Sequence, residues 1–531
     1  MRLRCISVPV LRVPRLAALL LAGVAGLTAC DDTLAPLPSG PFGVVDGGVA
    51  PSFALTRAIN LRSLGTLGSG SFHAAKAINN LGHVVGVSSG NGGEFRAFYW
   101  SAQGGMVDIG TAGRAASRAL DINDADLVVG TLEDSLGVGE AFTWTPRGGI
   151  RPLGQFGGVD SRALGVNNLG EVVGTYTPAF NPADPSTFRG VQAYHWSPSA
   201  GFTELPTLGN PFGGVAYGIN DAGQVVGVSS VSPDPNAPFL SFVWSRAAGI
   251  RNLGSLGGGF SEHDAFALNA LGDVAGGAYH DADGIWHPFV WRQGRGFTDL
   301  TTRGFPAGVS GVAIDVNALG HLAVLVLEPD GTRRPAVWVE RAGLVFMPTL
   351  GGVDGEIWGI NDLGQIVGWS QTSAGAMRPA VWSVRFSPED RITDVVATLT
   401  DLLPSVTSRK VAKQLNETIS KANKALARLA RQPPDLKKAI EQLAKAVESL
   451  QKAIKAGFDP ALGQSLTEVL VESARDLAVG AIANAQAAGG DPGRIARARS
   501  ELARGDAARQ AGKYKKAVEA YKKAAEQALK A

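Results

Sequence analysis

Three observations predict a mainly-β ring of seven blades followed by an antiparallel α-helical domain. The first is a phrase repeated seven times: an apolar residue, Asn, a short turn, then a Val-rich strand that usually ends in Gly. The copies read INNLGHVVG, INDADLVVG, VNNLGEVVG, INDAGQVVG, LNALGDVAG, VNALGHLAV and INDLGQIVG. Their Asn residues are Asn79, Asn123, Asn167, Asn220, Asn269, Asn317 and Asn361, about 44 to 53 residues apart, the length a four-stranded propeller blade needs. The second is a strand ending in Trp in each repeat: Trp100, Trp144, Trp196, Trp244, Trp291, Trp338 and Trp382. The third is a change of composition. Every Trp lies at or before Trp382, Lys76 is the one Lys before Arg391, and Lys is abundant beyond it. A Trp- and Gly-rich chain and a Lys- and Ala-rich chain bury surface differently, so the switch marks a domain boundary.

The chain opens with a targeting segment over residues 1–30. Arg2, Arg4, Arg12 and Arg15 precede the apolar run Leu16–Leu27, which is too short for a permanent membrane span. The run ends Leu27-Thr28-Ala29-Cys30, which resembles a bacterial lipobox. That resemblance implies lipidation at Cys30 and an exported protein anchored to the cell envelope, periplasmic or surface-exposed. Cys5 would leave with the signal, so the mature body has neither a free thiol nor a disulfide, and burial must stabilise it alone. Residues 31–53, rich in Pro and Gly, read as a flexible tether.

Residues 54–386 carry the repeats. In the third, Arg162–Asn167, Glu171–Tyr176, Val191–Trp196 and Phe202–Leu205 read as four short strands separated by Asn/Gly turns, a hairpin meander. Asn tolerates left-handed backbone and bonds its own main chain, so the recurring Asn has a sufficient job as a turn residue. The Trp recurs in phase with the strands and reads as packing between blades. The last repeat lacks a fourth strand, whereas Arg57–Gly65 is a fourth strand with no first three. Pairing the two closes the ring and hides an open sheet edge. An open solenoid would need capping sequence at both ends, and none is evident.

The repeat region resembles the HAF-repeat extracellular proteins of bacteria. The resemblance rests on LGTLG at Leu64–Gly68, LGQFGG at Leu153–Gly158, LGSLGG at Leu253–Gly258, PTLGG at Pro348–Gly352 and the Ile-Asn turns. The chain departs from the family at its His-Ala-Phe-like triplet before a Trp, where His survives only in His287-Pro288-Phe289. It covers Arg57–Phe386 and implies an extracytoplasmic repeat domain, with no defined chemistry.

Strand order puts two sets of loops on one face: those from second to third strand, and those from fourth strand to the next blade. The first set varies most, as in Thr177–Gly190, Ser229–Pro238 and Tyr279–Trp286. The second places Ser71, His73, Asp160, Arg162, Glu262, His263, Asp354 and Glu356 there. Variable loops on a constant scaffold are where recognition sits, so these eight residues are the candidate ligand-binding set.

Enzyme motifs fare poorly. Gly86-Val87-Ser88-Ser89-Gly90 matches Gly-x-Ser-x-Gly, but it follows a β-strand into a Gly-rich loop where a nucleophile elbow needs a strand-to-helix turn. His263, His280, Asp281, Asp283 and His287 cluster in the fifth repeat. Asp281 and Asp283 resemble the start of a calcium loop but lack its bidentate acid, and the His spacings follow no zinc template. The stretch reads as a polar surface loop, with no metal assigned. No phosphate loop or dinucleotide fingerprint is present, and no cofactor is expected.

From residue 391 to 531, apolar residues fall at helical spacing: Val411, Leu415, Ile419, Ala422, Leu426 and Leu429, then Leu436, Ile440, Leu443, Val447, Leu450 and Ile454. Pro433-Pro434-Asp435 and Asp459-Pro460 mark helix starts. Leu502–Leu529 resembles one tetratricopeptide unit, which cannot bury its own face and needs neighbouring helices or a partner. The whole reads as a lipid-anchored extracytoplasmic scaffold, not an enzyme. Its propeller loops hold an envelope protein or glycan and its helices a partner, and the export signal disfavours nucleic acid. The alternative is a cell-envelope polysaccharide hydrolase or lyase with acids drawn from several blades.

Overall fold

The computed structural model describes residues 59–181, 183–184, 189–209, 213–232, 239–384 and 386–531. The targeting segment, the tether and the lipidation candidate Cys30 lie outside these residues, as do parts of the loops Thr177–Gly190 and Ser229–Pro238.

Seven four-stranded antiparallel sheets form a seven-bladed β-propeller. The inner strands, in blade order, are His73–Ile78, Ala116–Ile122, Gly158–Val166, Gly214–Ile219, Phe260–Leu268, Ser310–Val316 and Gly351–Ile360. The expected closure is present. Ile59–Ser63 is the outermost strand of blade 7, paired antiparallel with Met377–Val384 from Ile59↔Val384 to Ser63↔Ala380. The backbone edge of blade 7 is thereby satisfied by the other end of the same domain.

The repeated Asn does more than turn the chain. Asn123 Oδ1 accepts from the backbone N–H of Ala125 (3.0 Å) and Leu127 (2.9 Å), which fixes the turn. Its Nδ2 donates to the carbonyl of Asn167, one blade on, at 2.8 Å. The same bond links each repeated Asn to the next, and Asn361 Nδ2 returns to the Asn79 carbonyl at 3.0 Å. Seven buried amides thus form a closed hydrogen-bonded ring. Each spends its acceptor within a blade and its donor between blades, a division of labour only Asn or Gln can perform.

The Trp residues fill the wedges. Trp144 of blade 2 packs with Ala77, Val85 and Ala97 of blade 1. Trp244 packs against Val173 and Ala193 of blade 3, and Trp382 donates its indole N–H to the Pro348 carbonyl at 2.7 Å. The Gly that ends most copies answers a close backbone approach. The inner strand bulges between Ala119 and Asp121, and a Cβ on Gly130 would lie 1.9 Å from the Arg118 carbonyl oxygen.

Six α-helices follow among the described residues: α1 (Pro388–Leu402), α2 (Arg409–Leu429), α3 (Leu436–Lys455), α4 (Pro460–Ala487), α5 (Pro492–Gln510) and α6 (Tyr514–Ala528). Ser387 and Asp390 make a capping box on α1. Asp435 and Asp459 cap α3 and α4, at the Pro/Asp signals read from the sequence. The tetratricopeptide-like pair α5–α6 buries Ala517, Val518, Tyr521 and Ala524 in one core with α2, α3 and α4. None of the described helices is long and apolar enough to cross a membrane.

This core docks on the propeller's Asn-turn face. Ala318 is part of it, and Ala270, Leu271 and Leu319 pack against it. His321 packs against Phe386 with the rings tilted and their centroids 4.6 Å apart, and lies 3.3 Å from the Asp394 carboxylate. Arg341 clasps Asp390 and Asp394 of α1. Ala461 and Ser465, in the first turns of α4, line the mouth of the central channel beside the Asn ring. The helices therefore occupy one face and leave the loop face open.

Candidate functional site

Two charged clusters on the loop face are each built across a blade boundary. Between blades 2 and 3, Glu133 sits under two guanidinium groups. Arg118 Nε is 3.1 and 3.2 Å from its oxygens, and Arg162 Nη1 is 3.1 Å from Oε1. Arg162 also reaches Asp160 at 3.3 Å, while Asp160 Oδ2 accepts from the backbone N–H of Gly139 in blade 2 at 2.8 Å. Arg118 lies over the Phe95 ring of blade 1 at 3.9 Å. Between blades 6 and 7, Arg333 binds Asp354 Oδ2 at 2.6 Å and Glu356 Oε1 at 2.8 Å, and Trp369 Nε1 donates to Glu356 at 2.9 Å. Burial pulls the Arg333 guanidinium down, but hydrogen bonds and charge from Asp354 and Glu356 outweigh it and hold its pKa above the ordinary value.

The candidate residues are thus partly brought together. Asp160 joins Arg162, and Glu356 lies with Asp354 under Arg333. Ser71 lines a cavity of about 390 Å³ with Arg333, Asp354, Trp369 and Arg378. The two histidines serve their own loops. His73 bonds Ser88 Oγ at 2.8 Å and the Gly70 carbonyl at 2.7 Å. His263 Nε2 accepts from the Leu256 N–H at 3.1 Å, and burial pushes its pKa down to about 4. Glu262 lies on the same strand as the fully buried Asp264, whose carboxyl burial raises far above its usual range.

Exposed apolar side chains lie on the loops of blades 2 and 3. Leu136 is 87% exposed, Val159 50%, Phe180 47% and Val191 41%. Arg162 Nη2 reaches the Gly137 carbonyl beside Leu136 at 3.3 Å, and Gly158, beside Val159, pairs with Pro178 at the root of the loop that carries Phe180. Val191 lies on the far side of blade 3, its carbonyl accepting from the Gly214 N–H of blade 4 at 2.9 Å. Sequence reasoning named the loops here but not these residues. Large apolar residues inside loops that otherwise read as polar were the available signal.

The central channel holds a cavity of about 240 Å³. The residue three before each Asn faces it: Lys76, Leu120, Leu164, Tyr217, Phe266, Ile314 and Trp358. Lys76 is the single charge in that layer. Its amine has no hydrogen-bond acceptor and lies 3.2 Å from the centre of the Trp358 ring. Burial pushes its pKa down to about 7, against the pull of Glu356. One residue on, Asp121 and Asp315 each bridge to the following blade, accepting from Val166 N and Ile360 N at 2.8 Å. Burial raises both to about 7.

Blade 5 carries the one set of His/Cys/Asp/Glu ligands that could share a metal ion among the described residues: His280, Asp283 and His287, with ligand atoms all within 4.8 Å of one another. His280 Nδ1 lies 3.0 Å from Asp283 Oδ1, and His287 Nε2 lies 3.1 Å from Asp283 Oδ2. Asp281 points elsewhere and accepts from Ser261 Oγ at 2.6 Å. The surface loop read from the sequence is therefore a convergent cluster. It contains one of the two acids singled out there, together with two of the histidines.

No family model matches the sequence, and no curated protein matches it. Among solved structures, a puromycin hydrolase is similar at 15% identity and a TM-score of 0.39, over 59% of this chain and 54% of that one. This chain thus spans about half the length of that hydrolase. The lectin of Aleuria aurantia is similar at 10% identity and 0.29, over 61% and 97%. The lectin BP39L of Burkholderia pseudomallei is similar at 12% and 0.32, over 60% and 96%. Similarities of this strength transfer neither ligand nor reaction.

Proposed function

We propose that this protein is a lipid-anchored, extracytoplasmic binding scaffold of the HAF-repeat kind, whose loop face over blades 2 and 3 takes a protein ligand of the cell envelope. The observation that carries the reading is the set Leu136, Val159, Phe180 and Val191, exposed on the loops of blades 2 and 3, the two blades that build the Arg118–Glu133–Arg162–Asp160 cluster. Exposed apolar side chains beside a desolvated Arg–carboxylate centre suit a protein surface, since apolar patches of this kind mark protein–protein contact sites. A glycan would call for open polar groups, and here the polar groups bond to each other. The same pairing argues against the hydrolase reading. Glu133, Asp354 and Glu356 each accept from Arg, so their oxygens are engaged within the chain and not turned toward a substrate, as general acid–base work requires. The helical domain, docked on the far face, supports the ring and leaves its outer helices for a partner.

The test is capture of envelope proteins by the mature body, residues 33–531, against a variant carrying Leu136→Ser, Val159→Ser and Val191→Ser. Retention of a specific protein by the parent and at least a tenfold loss in the triple variant is expected. A control with Leu81→Ser and Leu169→Ser, on the opposite face, should bind as the parent does. Equal capture by the triple variant, or a glycan ligand indifferent to it, would sink the reading.

A further inference from the structure

The blade 5 cluster is assembled as a metal site would be. His280 ends the second strand of the blade, His287 lies on the third, and Asp283 sits in the hairpin between them. One ring nitrogen of each histidine faces Asp283; the other is held from behind. His287 Nδ1 lies 3.0 Å from Asp299 Oδ2, and Asp299 is fixed in turn by accepting from Thr301 N and Oγ1 through its other oxygen. His280 Nε2 lies 3.3 Å from the Gly258 carbonyl, in the Gly-rich loop Leu253–Gly258. A carbonyl can only accept, so the His280 proton belongs on Nε2, and Asp299 calls for the His287 proton on Nδ1. In that tautomer the two nitrogens facing Asp283 are available as ligands.

Two imidazole nitrogens and a carboxylate turned toward one point call for positive charge between them, which shared protons or a metal ion supply. The pattern of an imidazole backed by a carboxylate or carbonyl is the one that orients metal-ligating histidines. With bonds of about 2.0–2.1 Å, tetrahedral ligand atoms stand roughly 3.3–3.4 Å apart. Here the two imidazole nitrogens lie 3.0 and 3.1 Å from different oxygens of Asp283, and one ligand atom from each residue falls within 4.8 Å of the others, a spread that side-chain rotation can draw onto one ion. Phe260 packs edge-on against His287 at 5.1 Å and tilted against His280 at 4.6 Å, so both rings are held in place. Asp283 is 42% exposed, which leaves the fourth position toward solvent.

We propose that His280, Asp283 and His287 bind one Zn²⁺, with Asp299 and Gly258 as positioning groups and the fourth position open. Two imidazoles and one carboxylate favour zinc over the hard ions calcium and magnesium, which take oxygen ligands. The sequence hid the site because a His-x₂-Asp-x₃-His spacing across a β-hairpin matches no zinc template. The site lies on the loop face but shares no residue with the blade 2–3 patch, so the two proposals stand or fall separately.

The experiment is calorimetric titration of ZnCl₂ into the full chain, purified without a polyhistidine tag, stripped with EDTA and desalted, at pH 7.5. One equivalent is expected to bind. Asp283→Asn combined with His287→Gln should lower the affinity at least 100-fold, and His280→Asn alone should give a second, independent loss. Asp299→Asn, which touches no metal, should keep the stoichiometry and weaken binding about 10- to 100-fold. CaCl₂ should give no heat of binding at the same concentration. Absence of one-to-one zinc binding by the folded parent, or its survival in both the double variant and His280→Asn, overturns the proposal. Far-UV circular dichroism identifies the variants that are folded.

Discussion

At the scale of the residue, Lys76 shows how a repeat can carry one deliberate exception. Six of the seven blades place an apolar or aromatic side chain in that layer of the channel, and the first places an amine. The ammonium gives up its water for the face of Trp358, a contact worth about 2 kcal/mol when desolvated. Burial still wins, and the pKa falls to about 7. The folded protein therefore binds fewer protons than the unfolded chain between about pH 7 and the ordinary Lys value near 10.5. In that window stability rises with pH; below it, both states are protonated and the full cost of burying the charge is felt. Asp121 and Asp315 run the opposite way, losing stability as pH climbs from about 4 to 7. A Lys76→Met variant isolates the first effect. At pH 6 it should be more stable than wild type by roughly 2–4 kcal/mol, and the gap should close as the pH approaches 10. A gap that stays constant in urea melts across this range would show that Lys76 does not titrate as argued.

Among the elements, the departures from the repeat say more than the repeat itself. After its Asn, each blade carries Asn80, Asp124, Asn168, Asp221, Ala270, Ala318 or Asp362 in turn. The polar members bond from blade to blade, as Asp124 Oδ1 does with the Asn80 N–H at 2.8 Å. The two alanines are in blades 5 and 6, where the helical core rests. Removing a polar side chain there leaves apolar surface for the helices to cover. Ala318→Glu restores the polar character of the other blades and buries an unpaired carboxylate under the core. It should cost about 3 kcal/mol or more at this contact and uncouple the helices from the ring. Calorimetry would then resolve two transitions, and proteases would cut near Phe386. One unchanged transition, with the junction still protected, would mean that the dock does not depend on this contact.

For the molecule as a whole, closure is the decisive feature. A ring of blades has no free edge only if its two ends meet, and here Ile59–Ser63 supplies the last ladder of blade 7. The Asn ring closes at the same boundary, through Asn361 and Asn79. Deleting Ile59–Ser63 should expose the backbone of Met377–Val384 as a template for another chain. The expected result is a fall in melting temperature of about 5 °C or more together with dimers or larger species in light scattering. A monomer with unchanged melting would show that the Asn ring and the Trp wedges hold the circle without the strand.

What the sequence by itself determined is whatever repeats or depends on near neighbours. The Asn phrase counted seven blades, the orphan strand at Arg57–Gly65 foretold how they close, and the Pro/Asp signals placed the helix starts. These succeed because turns, caps and strand periods are set within a few residues, and repetition averages away the exceptions. What only the tertiary structure decided depends on residues far apart in the chain. The donor half of each Asn is spent on the next blade, out of sight of any local pattern. Arg162 and Glu356 read alike as open ligand groups, yet one is spoken for by Glu133 and the other by Arg333 and Trp369. His280, Asp283 and His287 read as a polar loop until the hairpin turned their side chains toward one another. Pairing and convergence are properties of distance, and distance between blades is fixed only when the ring is packed.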